Sequence, residues 1–265
     1  MDILYFLKEG ASKCDDFELR CSLRSIEKYG RNVGKVYIVG HCPDWLSDEV
    51  IKIPYMVDPK KKKHKNLHSQ LLYAIRNSDI GVRDNGEFLV SMDDHFYCRL
   101  VDFDNYPYYV KGEDILQWKE EAENKVRGLA NPRSIEWYEN IMISTHNLCK
   151  RYNLPTHMST IHRNMHMNRY ELERMSELND YIISDDTPEV EGFCLALNYR
   201  KSYTDIKFDL VEDIKVRNPE DFFTQYRDPA KKIHVFSTRD FKKCDPLYIL
   251  LKKIYNNKSK YERYE

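Results

Sequence analysis

The first forty residues hold the arrangement that most constrains the fold. Residues 2–7 (DILYFL) are an apolar run of strand length, and KVYIVG is a second, β-branched one. Between them FELRCSLRSIEKYG places apolar or small residues at Phe17, Leu19, Leu23, Ile26 and Tyr29, close to the helical period. Asp15 or Asp16 is a plausible cap for this helix and Gly30 a natural stop. A strand, a helix and a strand in this order require parallel pairing around a crossover helix. VIKIPYM then reads as a third strand, cut by Pro54.

Further on, the charged segment DPKKKKHKNLHSQ feeds a helix over Leu67 to Ile75. GVRDNG is turn chemistry, and Glu87 to Met92 (EFLVSM) is a strand that stops at Asp93-Asp94. Beyond residue 110 the pattern becomes mainly helical, with helices predicted over Asp114–Lys125, Ser134–Tyr152 and Asn168–Leu178. The last two are joined by the His- and Met-rich connection PTHMSTIHRNMHMNRY. Residues 193–199 (FCLALNY) and 232–237 (KIHVFS) read as strands, and Pro246–Tyr255 as a closing helix. The pattern predicts one α/β domain over 1–265, with a mixed, mostly parallel sheet flanked by helices and a helical insertion in its second half.

Composition narrows the class without naming a function. Forty-two Lys+Arg against 43 Asp+Glu argue against a protein that coats nucleic acid, although a local basic patch remains compatible. A hydrophobic share of 42% and 20 Tyr argue against disorder. No apolar run reaches the roughly 18 residues of a membrane span, and MDILYFLKEG has too few apolar positions for a signal peptide. The expectation is a cytoplasmic protein. Seven cysteines (Cys14, Cys21, Cys42, Cys98, Cys149, Cys194, Cys244) without a C-x-x-C pair read as buried thiols rather than a disulfide or zinc framework.

Four groups of residues could carry chemistry. Asp93 and Asp94 close a strand, where ligands of open α/β sheets gather. Two carboxylates there can hold a hard divalent cation (Mg or Mn), or stand as solvated turn acids. Lys60, Lys61, Lys62, Lys63 and Lys65 read either as a solvated loop or as a phosphate-facing one. Asn66, placed at the expected helix start, would offer backbone N–H groups to an anion. His157, His162 and His166 suit acid/base or phosphate-binding roles better than zinc, or form a half-buried loop. His234 lies mid-strand near a carboxyl edge that continues through Thr238, Arg239 and Asp240. Asp185, Asp186, Glu189 and Glu191 make a second acidic cluster that reads first as a loop.

Several segments resemble the conserved regions of the Stealth family. MDILYFL followed by FELRCSLRSIEKYGRNVGKVYIVGHCPDWL is similar to its first two regions, and KNLHSQLLYAI with FLVSMDDHFY to its next markers. PTHMSTIHRNMHMNRYELERM and IHVFSTRDF resemble its third and closing regions more loosely. The resemblance implies a GT-A-type transferase that moves a sugar, or a sugar 1-phosphate, from a nucleotide-diphosphate sugar (a UDP-sugar favoured) to a glycan. It implies a nucleotide-sugar-binding half over 1–110, an acceptor region over 111–192, and closing strands and helix over 193–265. Carried over by position, Arg20 and Arg24 would bind the donor, and Asn66 and Ser69 would sit by its sugar or phosphate; Lys65 of the lysine run is a further candidate for the donor. Asp93 and Asp94 would hold the metal or orient the reacting group, His157 would be an acid/base or a phosphate contact, and Asp240 would close the site with Arg239. His234, from its place near a strand edge, is a further candidate metal ligand, and Asp94, His157 and Asp240 are the candidate catalytic residues.

Two positions depart from the family pattern. Phe6-Leu7-Lys8-Glu9-Gly10 stands where an Asp is usual, and Met92 stands where an Asn precedes the paired acids. Sugar transfer and sugar-phosphate transfer stay open as alternatives. Short single-domain chains of this kind also resemble bacteriophage transferases, some of which act on a hydroxymethylated DNA base, an acceptor suited to the lysine loop; the host cytoplasm would then be the location. A third alternative is a non-catalytic carbohydrate- or partner-binding module.

Overall fold

In a computed structural model of the chain, residues 1–10, 14–117, 133–159, 162–211, 216, 218–227, 235–237, 243 and 245–263 are described. Strand β1 (Asp2–Leu7) sits in the middle of a five-stranded sheet. It pairs in parallel with β3 (Val36–Gly40) on one side and β5 (Glu87–Met92) on the other. β4 (Val50–Pro54) extends the sheet in parallel beyond β3, while β9 (Met165–Asn168) runs antiparallel on β5. The order is β4-β3-β1-β5-β9.

Alternating side chains of β1 enter two different cores. Leu4 and Phe6 join Tyr37, Val39, Phe88 and Val90 on one face, with Leu71, Leu72 and Ile75 of helix α2 (Lys63–Arg76) above them. Ile3, Tyr5 and Leu7 join Val36, Ile38 and Leu89 on the other, covered by Leu19, Leu23 and Ile26 of α1 (Phe17–Tyr29). Burial on both faces is why these strands read as unbroken apolar runs. The architecture is mixed α/β, with a mostly parallel sheet between helices, as expected.

The helix α1 ends before Gly30 as predicted, but neither Asp15 nor Asp16 caps it through its side chain; Asp16 instead accepts from Trp45 Nε1 at 3.2 Å. Short pairs of strands brace the periphery. β2 (Gly30–Arg31) pairs with β7 (Val101–Asp102), β6 (His95–Tyr97) with β11 (Val235–Ser237), and β8 (Tyr108–Val110) with β10 (Phe208–Leu210).

Four local expectations are corrected. The FCLALNY run is not a strand but the core of helix α6 (Gly192–Lys201), buried from Gly192 to Asn198. A helix buried nearly all round carries no amphipathic period, so its seven apolar-rich residues imitate a buried strand. Helix α2 begins at Lys63 rather than Leu67, because Glu189 Oε1 accepts from the His64 backbone N–H at 2.9 Å and satisfies its first turn. The His/Met-rich connection supplies strand β9 instead of only a loop. The helix predicted over 168–178 is broken at Met175 into α4 (Arg169–Arg174) and α5 (Ser176–Ile183), with Asn168 capping the first through the Glu171 N–H.

Helix α3 (Arg133–Arg151) and helix α8 (Pro246–Ile254) lie where expected; α7 (Pro219–Arg227) was not anticipated. The helix predicted over 114–125 lies mostly outside the described residues. Cys14, Cys21, Cys42, Cys98, Cys149 and Cys194 are all free thiols. Among the described residues no helix is long and apolar enough to cross a membrane.

Candidate active site

The parallel strands β1 and β5 finish side by side, Phe6 opposite Met92. A cavity of about 610 Å³ opens at this carboxyl edge, where Lys8 follows β1 and Asp93 and Asp94 follow β5. The start of α2 contributes Lys63, His64, Leu67 and Gln70, and α3 contributes Trp137 and Tyr138. Lys111, Met158, His162 and Met165 complete one wall, with Glu191 and Phe193 beside α6. The parallel register therefore brings together residues from widely separated parts of the sequence.

Asp93 and Asp94 form the two-residue turn between β5 and β6. Burial, then the Asp94 carboxylate, push the Asp93 carboxyl up to about 7. The turn rests on buried polar side chains. Tyr5 OH lies 2.7 Å from Ser22 Oγ, and Ser22 Oγ donates to the His95 carbonyl at 2.5 Å. Asn164 Oδ1 lies 3.3 Å from Ser91 Oγ and 3.4 Å from His95 Nδ1, and its amide also bonds the Tyr97 hydroxyl. These contacts fix the carboxylates on the sheet edge rather than leaving them on a loose loop.

Across α2, His64 Nδ1 lies 2.7 Å from Glu191 Oε2. The His64 ring is 5.7 Å from that of Trp137, whose Nε1–H donates to Glu189 Oε2 at 3.3 Å. Burial pulls the His64 imidazole down, but Glu191 and Glu189 outweigh it and hold its pKa above the ordinary value.

The predicted site residues divide into three groups. Asp93 and Asp94 line the cavity, and so does His162, which stands there in place of His157. His157 is held away from it: its N–H donates to Asn198 Oδ1 at 2.8 Å and its ring packs edge-on at 4.8 Å from Phe208. His166 is buried in β9, its Nε2 2.6 Å from the Tyr106 carbonyl and its ring stacked 3.8 Å from Tyr108.

The donor-binding set is the most altered. Arg24 Nε and Nη2 both donate to Glu262 at 2.7 Å, and Nη1 donates to the Tyr255 carbonyl. Arg20 donates to Glu262 at 3.1 Å and lies 3.9 Å above Trp45, beside a separate cavity of about 650 Å³. Lys65 is buried, bonding the carbonyls of Ser184 and Thr187. The Asn66 amide donates to the carbonyls of Asp58 and Lys61, and its own N–H donates to the Lys62 carbonyl. Ser69 lies on α2 outside the cavity lining. His234, Arg239 and Asp240 lie outside the described residues.

Sequence reasoning missed His64, Lys8, Lys111, Trp137 and Tyr138 as lining residues. The available signal was His64 itself, a lone imidazole inside a lysine run. Glu191 was noticed only as part of an acidic loop.

Among the described residues no three His, Cys, Asp or Glu side chains converge as a metal cage. The adjacent Asp93 and Asp94 fit a hard divalent ion held jointly with oxygens of a ligand and water, not one enclosed by protein.

Solved structures that resemble the chain include two glycosyltransferases. Mouse xyloside xylosyltransferase 1, in its apo form, is 9% identical with a TM-score of 0.42, over 89% of this chain and 97% of that one. Galactosyltransferase LgtC, in complex with donor and acceptor sugar analogues, is 10% identical with a TM-score of 0.44, over 98% of this chain and 96% of that one. No family model matches the chain, and no curated protein matches it in sequence.

Proposed function

We propose that this chain transfers a sugar from a nucleotide-diphosphate sugar to an acceptor in the cavity at the carboxyl edge of β1 and β5. The observation that carries the reading is the pairing of Asp93 and Asp94 with Lys8, Lys63 and Lys111 around one cavity that also has Trp137 and Tyr138 in its wall. Carboxylates that accept a cation, ammonium groups that neutralise phosphate oxygens, and an aromatic surface for a base or sugar are the chemistry such a donor requires. The motif resemblance to sugar and sugar-phosphate transferases supports the same class.

A divalent ion on Asp93 and Asp94 would neutralise charge on the diphosphate leaving group. The three lysines hold and screen the phosphates, and the rigid turn fixes the carboxylates before the donor arrives. Catalysis is then mainly positioning and electrostatic stabilisation. His162 belongs to the 111–192 segment, to which we assign the acceptor side, while Lys111, Trp137 and Tyr138 of the same segment reach the donor.

A second reading concerns the acceptor. Lys60, Lys62 and Lys63 are exposed at the start of α2, and Lys63 also lines the cavity, so a polyanion such as a DNA strand bearing a hydroxymethylated base could lie along this ridge. Binding that falls steeply with salt and weakens when these lysines are neutralised supports a DNA acceptor; flat salt dependence rejects it.

The transfer reading is tested by donor hydrolysis and thermal shift with a panel of UDP-sugars and Mn²⁺. Wild type should hydrolyse or be stabilised by at least one donor, and Asp94→Ala should not. No response from wild type, or an unchanged response in Asp94→Ala, would sink the reading.

A further inference from the structure

Two buried side chains in the cavity wall are not among the groups that the transfer reading assigns to the donor. The side chains of His64 and Glu191 are 8% and 5% exposed, both line the cavity, and they meet at 2.7 Å through Nδ1 and Oε2. Each is held independently. The His64 backbone N–H is bound by Glu189, and the Glu191 N–H donates to Thr145 Oγ1 at 2.8 Å. The contact is a close ion pair rather than an aligned hydrogen bond, and with Nδ1 against the carboxylate Nε2 is the nitrogen left to take a proton from a substrate. A carboxylate this close stabilises the imidazolium once formed.

We propose that His64, paired with Glu191, accepts the proton of an acceptor hydroxyl during transfer. The inference rests on the transfer reading above and narrows its acceptor to an alcohol, because a phosphate oxyanion would bring no proton to remove. In the step, the hydroxyl O–H proton passes to His64 Nε2 while the oxygen lone pair bonds the anomeric carbon. The bond from that carbon to the donor phosphate oxygen breaks, and its electrons leave with the nucleoside diphosphate. The imidazolium, paired with Glu191, then returns its proton to water.

The charged groups facing His64 are Glu191 and Glu189, which favour the imidazolium, and Lys63, which opposes it; the Trp137 and Tyr138 rings of α3 pack against its face. Burial works against the charged form, yet the two glutamates hold the pKa above the ordinary histidine value of about 6.5. Activity carried by the neutral base therefore falls on the acid side, at a pH above that value.

The test compares wild type, His64→Gln and Glu191→Gln, each first shown to keep its circular dichroism spectrum. His64→Gln should retain the donor-induced thermal shift, lose turnover by about 10²–10⁴-fold and lose the acid limb of its pH–rate profile. Glu191→Gln should keep the limb but move it to lower pH. NMR of the donor-free protein should show a His64 imidazole titrating above about 6.5, and lower in Glu191→Gln. A donor shift with unchanged turnover in His64→Gln, or an acid limb that stays in place, overturns this role alone. Wild type with neither donor shift nor turnover overturns the transfer reading and this role together.

Discussion

Replacing Glu262 by Gln removes the charge that joins the C-terminal tail to α1. Its carboxylate is 1% exposed and takes three guanidinium hydrogen bonds, two from Arg24 at 2.7 Å and one from Arg20 at 3.1 Å. The Ser259 N–H adds a fourth at 3.0 Å. Breaking one partner of a buried pair costs about 3–5 kcal/mol. Here both arginines keep some water contact, with side chains 18% and 15% exposed, so we take the low end, about 3 kcal/mol. For a chain of this length that is a fall in Tm of about 6–12 °C.

The pH dependence has a definite sign. Burial alone would raise the Glu262 carboxyl, but Arg24 and the Ser259 N–H outweigh it and hold its pKa below the ordinary glutamate value. A lowered folded pKa contributes stability that is present above the unfolded value, about 4.3, and is lost as the pH falls through the folded one. Urea denaturation of wild type and Glu262→Gln from pH 7 downward should therefore give curves that converge in acid. A loss under about 1 kcal/mol at pH 7 would refute the argument. So would a gap that stays constant through the acid range. Donor response retained in Glu262→Gln supports a structural role for Arg24, since a donor-binding Arg24 would change its affinity once released.

Gly40 has φ +110° and a Cβ there would stand 2.2 Å from the Leu7 carbonyl, so Gly40→Ala should cost about 3 kcal/mol or more in denaturation and disturb the cavity floor. Lys65→Met leaves the Ser184 and Thr187 carbonyls without their donor; it should cost about 1–3 kcal/mol and spare the donor-induced thermal shift. Lys8→Ala and Lys63→Ala remove exposed ammonium groups at the cavity, so each should weaken donor binding about two- to fivefold by calorimetry, an effect that shrinks as salt rises.

What the sequence made legible follows from how locally each feature is determined. β1, α1 and β3 could be read because their burial is written in contiguous residues and Gly30 marks the stop. The position of Asp93 and Asp94 at a sheet edge could be read because a strand leads directly into them. Lys65 and Asn66 could not, since the start of α2 is set by Glu189 from a distant segment, which turns Lys65 into the core and Asn66 back onto Asp58. The partner of Arg20 and Arg24 could not be read for the same reason: Glu262 arrives from the opposite end of the chain. The pairing of His64 with Glu191 is likewise tertiary, and no spacing rule encodes it.

The account turns on whether the Asp93–Asp94 turn and its surrounding lysines hold a nucleotide-diphosphate sugar. Titration calorimetry of the full chain with UDP-sugars, with Mn²⁺ and again after chelation by EDTA, measures this directly in wild type and in the Asp93→Asn/Asp94→Asn double variant. The account predicts saturable binding of at least one donor by wild type with Mn²⁺, much weakened by EDTA and by the double variant. Equal affinity in wild type and the double variant would contradict it.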